Sequence, residues 1–64
     1  MRGRDLKACL DVLGWSQAEF ARRIDVHPNT VSAWVNDKPS ISGPALAYLN
    51  LAVAVKRLAS DVLG

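Results

Sequence analysis

The stretch WSQAEFARRIDVHPNTVSAWVN, residues 15–36, reads as two short helices joined by a tight turn. Ser16 is a natural N-cap, and Glu19 three positions on is placed to reach back to the Ser16 amide, completing a capping box. Trp15 precedes the cap and Phe20 falls at the fourth helical position, the spacing of a hydrophobic staple. The first helix therefore begins at Gln17, and Phe20, Ala21 and Ile24 share one stripe. It ends near Asp25, a residue type that tolerates left-handed backbone better than most non-glycines. Pro28 suits the first turn of a second helix, where a missing amide hydrogen is not felt. There Val31, Trp34 and Val35 point one way, while Asn29, Ser32, Ala33 and Asn36 point the other. One side is apolar and the opposite side small and polar, a face suited to being read by a partner.

These residues resemble the helix-turn-helix of the phage Cro and repressor (XRE-type) family of DNA-binding proteins. The resemblance is carried by Ser16-Gln17 opening the first helix, Ala21 at the crowded crossing and the Ile24-Asp25-Val26 turn. Thr30-Val31-Ser32 and Trp34 carry it through the recognition helix. The flanking helices fit more loosely. The family usually has Gly where Asp25 stands and often Ser at the position of His27. Many members also hold a partly buried Arg–Glu pair where Leu10 and Val35 stand. An apolar pair can replace a buried ion pair without loss of stability, at the cost of one cation near the phosphates. The resemblance implies an all-α, small four- to five-helix lambda-repressor-like DNA-binding domain.

Sixty-four residues make one domain at most, here residues 1–64, with a small core and modest stability. The abundance of Ala and Leu and the lack of any period-two run argue against β structure. A net charge of +2 permits nucleic-acid binding without requiring it. The single cysteine, Cys9, has no internal partner, which suits a reducing compartment, and it reads as a small hydrophobe on the first helix. The N-terminus alternates charged and apolar residues, unlike a secretory signal. The apolar run from Ala45 to Val55 is too short to span a bilayer and contains Asn50. No membrane association is expected, and the bacterial cytoplasm or nucleoid is the expected location.

Along the chain, residues 1–3 read as a loose arm. Leu6, Cys9, Leu10 and Leu13 mark an amphipathic helix from about Arg4, ended by Gly14. Arg2, Arg4 and Lys7 cluster near its start; a solvated face is the preferred reading, with a DNA-touching arm as the alternative. After the motif, Lys38-Pro39 breaks the recognition helix, and Ile41 plugs the core from the connector. Ser42 and Gly43 are N-cap candidates for a last helix over about 44–63, with Pro44 in its first turn. That helix is apolar on two sides. Leu46, Leu49 and Val53 form one stripe; Tyr48, Leu51, Val55, Leu58 and Val62 form another. A helix apolar all round must be buried all round. The second stripe is therefore assigned to a homodimer interface, the alternative being a core larger than the chain length suggests.

The resemblance implies that the second helix of the motif enters the major groove of double-stranded DNA with its N-terminal residues at the base edges. His27, Pro28, Asn29, Ser32 and Ala33 are the expected base readers. Asn29 leads them, because its amide can pair with both edge groups of adenine. His27 either donates to DNA or caps its helix. Phosphate contacts are expected from Gln17, by resemblance a backbone contact across the family, and from Thr30, Asn36, Lys38, Ser40, Ser42 and Gly43. Arg22 and Arg23 read mainly as solvated. Trp15 and Trp34 read as core rather than as stacking platforms for single strands.

The functional expectation is a homodimeric, sequence-specific repressor of phage or mobile-element type, acting by promoter occlusion at a palindromic operator. The alternative is a protein-interaction module, an antitoxin or adaptor using the same helices. No enzyme is expected: paired carboxylates at useful spacing, a metal-ligand cluster and a glycine-rich phosphate loop are all missing from the sequence. No cofactor, metal or small-molecule ligand is expected.

Overall fold

The computed structural model describes residues 1–63; the last residue of the expected domain, Gly64, lies outside them. Four α-helices follow one another, α1 (Gly3–Leu13), α2 (Gln17–Arg23), α3 (Pro28–Val35) and α4 (Gly43–Leu63). No strand occurs among the described residues. The fold is all-α, as expected.

The three short helices end by one device. Gly14, Asp25 and Asp37 each take left-handed backbone, with φ of 71°, 59° and 60°. In each case the next residue turns its amide back to a carbonyl in the last turn. Trp15 N–H donates to Leu10, Val26 to Ala21 and Lys38 to Ala33, at 3.0, 3.0 and 2.9 Å. This is the Schellman arrangement, and it satisfies carbonyls that a bare helix end would leave open. Recognition-helix termination is thus corrected. Asp37, not Lys38-Pro39, stops α3, and the proline lies beyond a turn already closed.

The core gathers Leu6 and Leu10 of α1, Phe20 and Ala21 of α2, Val31 and Trp34 of α3, and Ala45 and Leu49 of α4. Trp15, Ile24, Val35 and Ile41 close its edges, the last from the connector as expected. Cys9 also packs against this cluster. Trp15 lies 6.3 Å from Phe20 between ring centroids, the contact that the staple spacing predicts. Tyr48 of α4 completes an aromatic cluster, 6.2 Å from Trp15 and 6.5 Å from Phe20. With so few fully buried side chains, cutting one such as Leu6 or Leu49 back to Ala costs about 2–5 kcal/mol, a large part of a small domain's stability.

Two expectations are corrected at the N-terminal side. Gly3 belongs to α1 and is buried, so the loose arm does not extend to residue 3. Its amide donates to Oδ1 of Asp37 at 2.8 Å. A Cβ added at Gly3 would fall onto the Val35 carbonyl and lie 3.1 Å from the Trp34 carbonyl oxygen, so only glycine permits this approach. The capping box at Ser16 is the second correction, because only half of it forms. Ser16 Oγ accepts from the Glu19 amide at 3.0 Å. The Glu19 carboxylate turns instead to Arg22 and Arg23.

Candidate nucleic-acid interface

The surface that could meet a duplex is built on α3, which α1 and α2 hold from behind. Val31 and Trp34 anchor it in the core. The opposite side stays open: His27, Pro28 and Asn29 are exposed, and Ser32 and Ala33 are half-buried along the same face.

The start of α3 is set by His27. Its Nδ1 accepts from the Asn29 amide at 3.0 Å, so the imidazole is the N-cap of the helix. Accepting there requires Nδ1 to be unprotonated, which leaves the proton on Nε2 as a donor facing away from the cap. Of the two roles left open for His27, capping is therefore the one observed. Its second ring nitrogen is not used by the cap. The Asn29 side chain has no hydrogen-bond partner among the described residues, so both ends of its amide are available.

Beyond the far end of α3 the chain stays at the surface. Asn36 donates from Nδ2 to the Ser32 carbonyl at 2.9 Å, leaving Oδ1 and one N–H unused. Lys38, Ser40, Ser42 and Gly43 are exposed, while Gln17 and Thr30 are half-buried at the edges of the motif. Gly43 has ordinary backbone angles, and an added Cβ would meet nothing within 4 Å, so the fold itself does not call for glycine there.

A helix-turn-helix family model matches residues 6–47, more than half of the chain. The chain belongs to the XRE-type helix-turn-helix family. As a member it is a DNA-binding transcription regulator. No curated protein and no solved structure gives a significant match.

Several further features of this XRE-type chain bear on the site. Leu10 is 3% exposed and Val35 packs against the same core, so both are apolar core positions with no buried ion pair between them. The cations of α2 are tied up within the helix. Arg22 and Arg23 both engage Glu19, and the Arg23 guanidinium lies 4.3 Å from the Trp15 ring centroid, a cation–π contact. Trp15 thus gains a partner that sequence reasoning did not foresee. Asp37 was missed too, although an Asn-Asp pair before Lys-Pro is a fair signal for left-handed backbone. No helix of the described residues is long and apolar enough to cross a membrane.

Proposed function

We propose that this regulator is a homodimeric repressor of phage or mobile-element type that occludes a promoter from a palindromic operator, within the bacterial cytoplasm or nucleoid. Residues 1–64 act in this reading as a single domain. The observation that carries it is Asn29, exposed on the first turn of α3 with its amide unengaged, beside the outward Nε2 of His27. Asn pairs bidentately with adenine in the major groove, and His27 Nε2 donates to a guanine acceptor or a phosphate. Pro28 and Ala33 supply apolar contact for a thymine methyl, and Ser32 a single hydrogen bond. No Arg or Lys lies on this face, so discrimination sits at the lower end of about 1–3 kcal/mol per good contact. Gln17, Thr30, Asn36, Lys38, Ser40, Ser42 and Gly43 hold the phosphates that fix register.

The two-fold partner is a second copy, met through α4. Leu51, Val55, Leu58 and Val62 are 64%, 58%, 65% and 76% exposed, values that leave this row without an intramolecular partner. Together with Tyr48 they fall at alternating spacings of three and four, the seam of one helix packing along another. Ala47, Ala52, Ala54 and Ala59 flank that seam and let two backbones come close. A groove lined by Leu13, Trp15, Tyr48, Leu51 and Val55 continues the surface toward α1.

Selection of bound sites from random duplex DNA tests the reading. Recovery of a palindrome with half-sites centred about 34 Å apart, or a multiple of that spacing, is expected. Asn29→Ala should then lose affinity for the selected site while keeping its non-specific binding; equal loss on every sequence would contradict base readout. A stable monomer with no duplex affinity would favour the protein-interaction module instead.

A further inference from the structure

We propose that Arg2 joins Lys38 in a two-cation clamp for a single DNA phosphate just past the C-terminal end of α3. This rests on α3 being the helix that enters the groove. The hydrogen bond from Gly3 N–H to Asp37 Oδ1 joins two points 34 residues apart in the chain. Arg2 immediately precedes Gly3 and Lys38 immediately follows Asp37, so the contact brings the backbones that carry the two cations together. Both are exposed.

Both cations are free of ion pairs among the described residues, as are Arg4, Lys7, Lys56 and Arg57, and what sets this pair apart is the Gly3–Asp37 contact between them. Among the described residues the ion pairs are those of Glu19 with Arg22 and Arg23, so neither Arg2 nor Lys38 is held by a carboxylate. Arg2 occupies the N-cap position of α1, yet its side chain caps nothing. The Asp37 carboxylate, which would otherwise repel a phosphate, is turned onto the first amide of α1, where the positive end of the helix dipole favours it. The junction therefore carries two cations without ion pairs beside the Asp37 carboxylate, one oxygen of which is held by the α1 amide, with Asp5 in the first turn of the same helix. A groove-bound α3 runs out toward the sugar-phosphate backbone at its C-terminal end, where such a pair takes a phosphate that carries no sequence information.

The test uses the full chain with two duplexes: one recovered by selection from random DNA and a scrambled version of it. Arg2→Ala should reduce affinity for both by the same factor and lower the slope of log affinity against log salt by about 0.9 per protomer, about 1.8 for the dimer. That slope change corresponds to roughly five-fold weaker binding per protomer at 0.15 M salt, about thirty-fold for the dimer, taking 1 M as reference. Arg57→Ala, an equal charge change on α4, should leave the slope unaltered. The thermal midpoint of Arg2→Ala should stay at the wild-type value, because the side chain makes no cap. An unchanged slope for Arg2→Ala, with wild-type protein still binding in a salt-dependent way, overturns the clamp and spares the reading of α3. Equal effects at Arg2 and Arg57 also overturn it, since net charge alone would then be acting. If wild-type protein binds neither duplex in dilute buffer, both fall together.

Discussion

The amide of Gly3 and the carboxylate of Asp37 meet at 2.8 Å, so the residue that ends α3 also caps the start of α1. Asp37 serves both helices: its backbone turns left-handed to close one, and its side chain satisfies the first amide of the other. The recognition helix is thereby fixed against α1 at its far end, while Val31 and Trp34 fix it along its length.

The Gly3→Ala variant tests this junction, and two effects compete in it. Alanine is the better helix former by about 1 kcal/mol. Against that, its methyl would run into the Val35 carbonyl, which is backbone and cannot swing aside. Overpacking of this kind costs about 1–3 kcal/mol, and with a backbone atom as obstacle the upper end applies. Net destabilisation is expected, with the thermal midpoint falling by about 4–8 °C per kcal/mol lost. A midpoint equal to or above that of the wild type would show that α1 does not approach α3 so closely.

Asp25 gives the opposite expectation. It holds a φ of 59°, and its carboxylate makes no hydrogen bond or ion pair among the described residues. A left-handed conformation costs a non-glycine residue about 1–2 kcal/mol, less for Asp than for most. Asp25→Gly removes that strain and enlarges the unfolded ensemble, which offsets part of the gain. The variant should unfold at the same denaturant concentration as the wild type or slightly above it. A clear loss of stability would reveal a role for the carboxylate that the geometry does not show.

Most of the motif was legible in the sequence because its signals are local. Ser16, Pro28 and Gly14 act within a few residues of themselves, and the stripes of α2 and α3 report directly on burial. The junction of Gly3 and Asp37 was not legible, since it depends on how closely two helices cross. A glycine second to an arginine near a terminus looks like a loose end until the carbonyl it rests on is known. Glu19 was half legible. Its position fits a capping box, but two arginines one turn on compete for the same carboxylate, and they win. The face of α3 was visible as a polar stripe; the cap made by His27 Nδ1 required the ring orientation.

That cap separates stability from recognition. His27→Ala removes the acceptor for the Asn29 amide and should cost about 0.5–1 kcal/mol, the lower part of the range for lost N-caps. His27→Asn keeps an acceptor of a favoured cap type and should restore the unfolding midpoint. Its amide NH2 sits on a shorter side chain and does not reach where the imidazole Nε2 does, so affinity for the selected duplex should stay below wild type even with stability regained. Full recovery of binding by Asn would mean that His27 acts through the cap alone.

The α4 seam yields the last expectation. Leu58 is 65% exposed in the single chain and lies beyond Val53, the last buried residue among those described, so Leu58→Lys should alter monomer stability by no more than about 0.5 kcal/mol. In a dimer the same side chain sits mid-seam, where full burial of a leucine contributes about 1.5–3 kcal/mol and two copies lose it together. Wild-type protein should therefore sediment as a dimer, with a thermal midpoint that rises with concentration. The variant should sediment as a monomer whose midpoint is independent of concentration. On DNA, it should lose affinity for a two-half-site duplex far more than for a single half-site, because only the former gains from joining two readers. A variant that still sediments as a dimer would remove α4 from the interface, and a wild-type monomer at high concentration would remove the dimer itself.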